Sequence, residues 1–197
     1  NVPTRTRRTY FPVTAEAQAN ISRCLAGYAL NAGKPLVVIH PSASCPSKRW
    51  PAGKFARLIQ LFNERLPATV AVVTSAGEES YGEAVVREKG VIDLRGRLSI
   101  GELAALLTRS RLFISNDSGP VHIAASLGVP VIALFGRKDP GLSPRRWRPL
   151  GDSAHYIHKN TDCPVCFAHR CKRGFICLQR ITPEEVFEKA EMLWAAG

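Results

Sequence analysis

Two loops of the 197-residue chain carry side chains whose types and spacing suit a phosphorylated ligand, and the first is the turn at 116–120. Ser118 and Gly119 stand there immediately before a predicted helix. Free backbone N–H groups and the positive end of a helix dipole make such a turn a phosphate site. Ser118 adds a hydroxyl donor, Gly119 lets an oxyanion approach the backbone, and His122 adds a donor in the first helical turn.

Asp117 lies in the same turn and predicts a second ligand group. A carboxylate repels phosphate, so Asp117 is better suited to accept hydrogen bonds from the hydroxyls of a sugar joined to that phosphate. The alternative is that Asp117 or Ser118 only caps the helix, a common use of these residue types.

The second loop, 41–51, places Lys48 and Arg49 just before another predicted helix. A cation beside a helix start is unfavourable unless an anion lies between the two, which favours a bound phosphate here as well. The alternative is that both side chains face solvent. Ser42 and Ser44 supply hydroxyls in the same loop.

Short apolar runs that alternate with helical periodicity predict the element that positions both loops, a doubly wound α/β sheet of parallel strands. In the commonest strand order, 3-2-1-4-5-6, the first and fourth strands are neighbours, and ligands bind outside their carboxyl ends. The two loops follow these two strands. The six predicted strands lie at 36–40, 69–74, 91–93, 112–115, 131–135 and 155–158.

Helix signals complete the predicted domain. We expect residues 1–13 to form a linker or arm and 14–197 to form one Rossmann-like domain. Thr14 predicts a helix start with a stop at Gly33, and a further helix is predicted over 78–89. Ser99 and Glu102 have the spacing of a capping box, Pro120 suits a first helical position, and a last helix is predicted at 183–195.

The charge balance demands an anionic partner. The chain has 27 Lys and Arg against 16 Asp and Glu, a net charge of +11. Residues 137–173 alone hold nine basic residues and three Asp, a net charge of +6. Nucleic acid, a membrane surface and a phosphorylated ligand are the partners that fit.

The apolar runs are too short to span a bilayer and no signal segment opens the chain, which predicts a cytoplasmic protein. Because Met192 is the only methionine, we expect the chain to be a fragment or a processed product.

Four cysteines lie close together in the segment 163–177, with the pattern C-x2-C-x4-C-x5-C and His169 between them. Zinc, disulfides and free thiols are all compatible with this pattern. The gap between the pairs is short for a zinc ribbon, and the cytosol keeps thiols reduced, so free thiols are favoured and no metal is expected.

Other nucleotide folds fit less well. The chain lacks a P-loop pattern and has no G-x-G-x-x-G after its first strand, so a nucleotide diphosphate held by loops is the better interpretation. It also lacks the aromatic platforms or recognition-helix pattern of nucleic-acid-binding modules, and we expect no nucleic-acid partner.

The stretches IHPSASCPSKRWP (39–51) and NDSGPVHIAASLGVPVIALFGRKDP (116–140) resemble the bacterial lipopolysaccharide heptosyltransferases of glycosyltransferase family 9. The resemblance runs from about Leu36 to the end. It implies the two-domain GT-B architecture, with this chain as the carboxyl-terminal half that binds the nucleotide-sugar donor, usually ADP-heptose. The catalytic base would belong to the other half, so we expect donor binding without turnover by this chain alone.

The resemblance also implies residue roles. Lys48 would contact donor phosphate and sugar, and Asp117 would hold the heptose hydroxyls, which makes these two the catalytic candidates. A glutamate that binds the ribose would be Glu78 or Glu79, with Glu79 taken as the candidate. The full predicted donor site is Ser42, Ser44, Lys48, Glu79, Leu98 (against adenine), Asp117, Ser118, Gly119 and His122.

The reaction implied is an inverting transfer of heptose without a cofactor. The acceptor would be an anionic, lipid A-type glycolipid, with peripheral contact at the inner face of the inner membrane. Two alternatives stay open: a glycosyltransferase of the same fold that uses another nucleotide sugar, and a non-catalytic nucleotide-sugar-binding module.

Overall fold

A single parallel sheet forms the centre of the computed structural model, which describes residues 9–28, 33–166 and 169–195. The strand order is β3-β2-β1-β4-β5-β6, and every neighbouring pair is parallel. This confirms the predicted doubly wound sheet. The strands are β1 (Leu36–His40), β2 (Thr69–Val72), β3 (Val91–Asp93), β4 (Ser110–Asn116), β5 (Val131–Phe135) and β6 (Ala154–His158).

Eight α-helices connect and cover the described strands. Three are short, at four residues each: α3 (Glu83–Val86), α6 (Pro144–Trp147) and α7 (Ile176–Gln179). The longer helices are α1 (Ala15–Ala26), α2 (Ala52–Arg65), α4 (Ile100–Leu107), α5 (Gly119–Ser126) and α8 (Pro183–Ala195). None of the helices in the described ranges is long and apolar enough to cross a membrane.

The sheet is buried on both faces, as parallel sheets must be when crossover helices cover them. One core lies between the sheet and α1, α4 and α5, where Ile21, Leu106 and Phe113 are fully buried. The other core lies under α2 and α8, where the rings of Phe62 and Phe187 meet edge to face at 5.3 Å. These two layers hold the carboxyl ends of β1 and β4 in fixed positions.

The predicted helix over 78–89 is wrong as a single helix. A 3-10 turn at Glu79–Gly82 leads into α3, which ends at Val86. Arg95 explains the break, because its guanidinium donates to the carbonyl oxygen of Glu79 at 2.7 Å. The amide of Glu83 bonds to Ser80 instead of to that carbonyl, so the α-helical hydrogen-bond pattern cannot begin at Glu79.

The amino-terminal helix begins as predicted. The Thr14 hydroxyl accepts the Ala17 N–H, and α1 ends at Ala26. The predicted arm at 1–13 is described only from residue 9, where Phe11 and Val13 pack against the first core. The part of the predicted helix at 29–32 lies outside the described residues.

The side chain of Asn116, the last residue of β4, joins the two loops that were predicted to bind the ligand. Its amide oxygen accepts the Trp50 N–H at 2.9 Å, and its amide nitrogen donates to the Pro41 carbonyl at 2.7 Å. Asn116 is fully buried. Pro41 follows β1 and Trp50 precedes α2, so one amide holds both ends of the intervening loop against β4.

Replacing Asn116 should therefore destabilise the whole carboxyl edge of the sheet. Asn116→Ala leaves the buried Trp50 N–H and Pro41 carbonyl without partners, and we expect the free energy of unfolding to fall by about 3 kcal/mol. Urea denaturation measures this loss. Asn63→Ala is the matched control, since its exposed amide bonds only to the Lys89 carbonyl, and a change of about 0.5 kcal/mol is expected. Equal losses in the two variants would contradict the bridging role.

Candidate functional site

A cleft of about 380 Å³ opens at the carboxyl edge of the sheet, between the loops after β1 and β4. It lies at the switch point of the strand order, where doubly wound folds bind ligands. Loops after β2 and β5 also contribute to its wall. Its lining residues are His40, Ala43, Ser44, Lys48, Ser75, Glu78, Asp117, Ser118, Gly119, Pro120, His122 and Trp147.

An ion pair between Lys48 and Asp117 joins the two predicted loops inside the cleft. Lys48 Nζ lies 3.0 Å from Asp117 Oδ2. The Asp117 side chain is only 7% exposed, whereas that of Lys48 is 24% exposed. The Asp117 N–H donates to the Leu134 carbonyl of β5 at 3.0 Å, which fixes the backbone that carries the carboxylate. The cleft thus presents a cation and a carboxylate within one contact distance of each other.

Lys48 is positioned by a basic residue from elsewhere in the sequence. It ends a short 3-10 turn at Pro46–Lys48. Arg137, which follows β5, donates to the Ser47 hydroxyl at 2.8 Å and to Cys45 Sγ at 2.7 Å. This part of the basic segment therefore supports the loop that carries Lys48.

Ser118 occupies the N-cap position of α5, but its side chain makes no capping hydrogen bond. Its hydroxyl lies 3.0 Å from the Ser115 hydroxyl, at the end of β4. Asp117 is engaged with Lys48. Neither Asp117 nor Ser118 therefore serves as a side-chain cap of α5.

Gly119 and His122 face the same cleft from α5. A Cβ built on Gly119 would meet no protein atom within 4 Å, so the space beside this backbone is open to a ligand. His122 is half-buried, and burial lowers its pKa below the ordinary value, with Lys48 acting in the same direction and Asp117 opposing. A neutral imidazole at pH 7 can donate one hydrogen bond to a phosphate oxygen.

Three of the predicted donor-site residues do not line the cleft. Ser42 is fully buried beneath it and bonds to His40 and Glu78. Hydrogen bonds from its own backbone N–H and from the Gly77 N–H lower the pKa of the Glu79 carboxylate, and Glu78 lines the cleft instead. Leu98 packs partly buried against the first core, in the loop after β3.

Arg49 is partly buried and does not line the cleft. Its guanidinium donates to the Ala43 carbonyl at 2.7 Å and lies 3.8 Å from the centre of the Tyr81 ring. It therefore stabilises the loop after β1, and only one of the two cations in this loop is available to a ligand.

Sequence reasoning missed Trp147 and did not identify His40 as part of the site. Trp147 ends α6 in the Pro- and Arg-rich loop after β5 and lines the cleft. Because this loop follows a strand of the parallel sheet, the sequence could have indicated that Trp147 lies at the binding edge. His40 is the last residue of β1 and reads from sequence as a strand residue. Its burial lowers its pKa to about 4.

The four clustered cysteines line a separate cavity with Arg137 and Lys138, away from the Lys48–Asp117 cleft. All six cysteines of the chain are free thiols, and burial raises the pKa of the Cys177 thiol. Over 9–28, 33–166 and 169–195, no three His, Cys, Asp or Glu side chains come together as a metal site. Residues 167 and 168, inside the cysteine segment, lie outside the described ranges.

Comparison with known proteins identifies the family. The model of glycosyltransferase family 9, described as heptosyltransferase, matches residues 1–176. The chain belongs to glycosyltransferase family 9. The resemblance predicted from the two loop motifs is thereby confirmed.

Relatives of the family 9 chain include lipooligosaccharide heptosyltransferase 2 of Haemophilus influenzae, 31% identical over 176 residues, which are 85% of this chain and 49% of that protein. Among solved structures, a family 9 glycosyltransferase from Veillonella parvula aligns with a TM-score of 0.81 and 27% identity. The Escherichia coli ADP-heptose lipopolysaccharide heptosyltransferase II aligns with a TM-score of 0.74 and 25% identity. Each alignment covers 95% of this chain and 54% of the solved one, so this family 9 chain spans about half the length of its relatives.

The low pKa of His40 predicts how stability depends on pH in this family 9 domain. His40 stays neutral in the fold down to about pH 4, whereas an unfolded histidine takes up a proton near pH 6.5. The unfolded chain therefore binds more protons across this window, so stability is present above pH 6.5 and falls as the pH is lowered towards 4, by about 3 kcal/mol in total.

Urea denaturation at pH 7 and at pH 4.5 measures this effect. The unsubstituted chain should show a lower free energy of unfolding at pH 4.5 than at pH 7. We expect the free energy of unfolding of His40→Asn to fall much less between these two pH values. An identical decrease in both proteins would show that other groups cause it.

Proposed function

We propose that this chain is the donor-binding half of an inverting heptosyltransferase, which transfers heptose from ADP-heptose to the lipopolysaccharide inner core. The observation that carries the proposal is the Lys48–Asp117 pair in the cleft at the switch point of a family 9 domain. The name of the E. coli relative, an ADP-heptose lipopolysaccharide heptosyltransferase, supports the choice of donor and product.

Lys48 and Asp117 suit the two halves of a nucleotide sugar. The Lys48 ammonium would neutralise the diphosphate, both in the bound donor and as negative charge develops on the leaving group. The Asp117 carboxylate would accept hydrogen bonds from heptose hydroxyls. Because the two groups lie 3.0 Å apart, a donor whose sugar is joined directly to the diphosphate can contact both.

The remaining predicted contacts are assigned by position in the cleft. Ser44, Ser118, Gly119 and His122 surround the space beside Lys48 and Asp117, and we assign them to the diphosphate. We assign the ribose contact to Glu78 in place of Glu79, because Glu78 reaches the cleft. Leu98, in the loop after β3 at the same sheet edge, stays the candidate for adenine, and Ser42 acts only through the residues it bonds to.

In the proposed reaction, an acceptor hydroxyl attacks the anomeric carbon of heptose from the side opposite the diphosphate. A new C–O bond forms, the bond from that carbon to the diphosphate breaks, and ADP leaves. The hydroxyl proton passes to a carboxylate base, which the family resemblance assigns to the other domain. We therefore propose that this chain binds the donor and does not turn it over.

Calorimetric titration with ADP, UDP and GDP tests the donor class. We expect ADP to bind most tightly. Equal affinity for the three nucleotides would contradict an ADP-sugar donor, and heptose transfer by this chain alone would contradict the proposed division of labour.

Asp117→Ala tests the contact to the sugar. The variant should bind ADP-heptose at least tenfold more weakly, since it loses hydrogen bonds to a charged acceptor, whereas ADP should bind within about threefold of the unsubstituted chain. Asp152→Ala removes an exposed carboxylate as the matched control and should leave both dissociation constants unchanged. Equal weakening of ADP and ADP-heptose by Asp117→Ala would exclude a role in sugar recognition.

We further propose that an exposed basic rim contacts an anionic glycolipid acceptor at a membrane surface. The rim consists of Arg145, Arg146 and Arg148, which flank Trp147 on and after α6 and are all exposed. Other basic residues of the same segment have internal partners: Lys138 donates to the Thr161 carbonyl, and Lys159 pairs with Glu185. The rim borders the cleft through Trp147.

Vesicle sedimentation at low salt tests the basic rim. Vesicles that contain phosphatidylglycerol should retain the chain, and neutral vesicles should not. Because each basic residue near an anionic surface contributes about 1 kcal/mol, replacing the three rim arginines by alanine should weaken retention at least tenfold. Alanine at Arg23, Arg65 and Arg87 removes equal charge from other exposed sites and is the control. If both variants lose retention equally, net charge alone explains the binding to vesicles, and the proposal is overturned.

A further inference from the structure

Trp147 brings the largest side chain to the cleft, and the proposed reaction gives it no contact with the donor. It ends α6, and the other residues that line the cleft are small, polar or charged. Trp147 is 44% exposed, whereas Trp50, in the loop after β1, is 2% exposed. A tryptophan that is this open at the wall of a cleft has apolar surface to offer to a ligand.

The polar group of the Trp147 indole already has a partner. Its Nε1–H donates to the Gly141 carbonyl at 2.8 Å, in the segment that leads into α6. That segment is itself held by Asp139, whose Oδ1 accepts the Gly141 N–H at 2.8 Å. The backbone N–H of Trp147 donates to the Ser143 carbonyl. Since both N–H groups have partners, a ligand meets the carbon surface of a ring that is held in one orientation.

The strand order places Trp147 at one end of the cleft. Glu78 follows β2, and Trp147 follows β5. Strands β1 and β4, whose loops carry Lys48 and Asp117, lie between those two strands in the sheet. Neighbouring strands lie about 4.8 Å apart, so β2 and β5 are separated by three spacings, or about 14 Å. The Lys48–Asp117 pair therefore lies between the ends of the cleft that Glu78 and Trp147 mark.

This order gives a bound nucleotide sugar its direction. With the ribose at Glu78 and the diphosphate at Lys48, the sugar extends towards β4 and β5, whose loops carry Asp117 and Trp147. A sugar ring has hydroxyls around its edge and C–H groups on its faces. A carboxylate suits the edge, because it accepts hydrogen bonds, and an aromatic ring suits a face.

We propose that Trp147 is a specificity-determining residue that stacks its indole against one face of the heptose ring, while Asp117 accepts from the hydroxyls at the edge. The stack removes C–H groups of the sugar and apolar surface of the indole from water. It adds nothing to the binding of ADP, because the adenosine lies towards β2 and the diphosphate lies at Lys48. This stacking rests on the donor-binding function proposed above.

Calorimetry with ADP-heptose and ADP tests the stack. Trp147→Ala should bind ADP-heptose about tenfold more weakly and ADP within about twofold of the unsubstituted chain, since it loses an aromatic contact that only the sugar makes. Trp147→Phe keeps an aromatic ring and should bind ADP-heptose within about threefold of the unsubstituted chain. Tyr156→Ala removes an equally exposed aromatic side chain on β6, outside the cleft, and should change neither dissociation constant.

Tryptophan fluorescence of the unsubstituted chain gives a second readout. Stacking covers the exposed indole, so ADP-heptose should shift the emission to shorter wavelength and ADP should not. Trp147→Phe retains Trp50 and Trp194 and should lose this shift. An equal shift with ADP, or a shift that persists in Trp147→Phe, would overturn the stacking. Thermal melts identify a Trp147→Ala chain that is not folded, in which case the fluorescence decides.

The outcomes separate the stacking from the proposed function. If Trp147→Ala weakens ADP as much as ADP-heptose, or weakens neither, the stacking is excluded while the donor site stands. Loss of vesicle retention with unchanged binding of ADP-heptose would assign Trp147 to the basic rim and would equally exclude the stacking. If the unsubstituted chain binds neither ligand, the proposed function fails, and the stacking fails with it.

Discussion

The buried amide of Asn116 is the interaction on which the site depends. Two of its hydrogen bonds hold Pro41 and Trp50, the two ends of the loop that carries Lys48, against the end of β4. Asp117 follows Asn116 directly in the chain. The ion pair is therefore built from a residue adjacent to the bridge and a residue inside the loop that the bridge closes.

Polar groups at the floor of the cleft are fixed by strands, while those at its rim lie on loops. His40 and Ser115 are paired in the register of β1 and β4, so the sheet itself determines their spacing. Lys48 lies on a short turn that is held by Arg137. This division suits the proposed binding of a nucleotide sugar, because precise sites are best supported by the regular elements beneath them.

The sequence was sufficient to predict the sheet, its strand order and the two loops, because these follow from apolar periodicity and from the rule for switch points. It could not distinguish Glu78 from Glu79, since that choice depends on Arg95, which binds the Glu79 carbonyl from sixteen residues away. The burial of Ser42 and the internal use of Arg49 and Arg137 escaped prediction for the same reason. Each depends on a partner that only the folded chain brings near.

The Lys48–Asp117 contact means that the cleft carries its own counter-ion. A small inorganic anion that binds Lys48 must compete with the Asp117 carboxylate, and it leaves that carboxylate without its cationic partner. A molecule that carries both a phosphate and neighbouring hydroxyls can bind the Lys48 ammonium and donate hydrogen bonds to the Asp117 carboxylate at the same time. If the cleft binds the proposed donor, the pair would select against the abundant free phosphate of a cell and favour ligands in which negative charge and sugar are covalently joined.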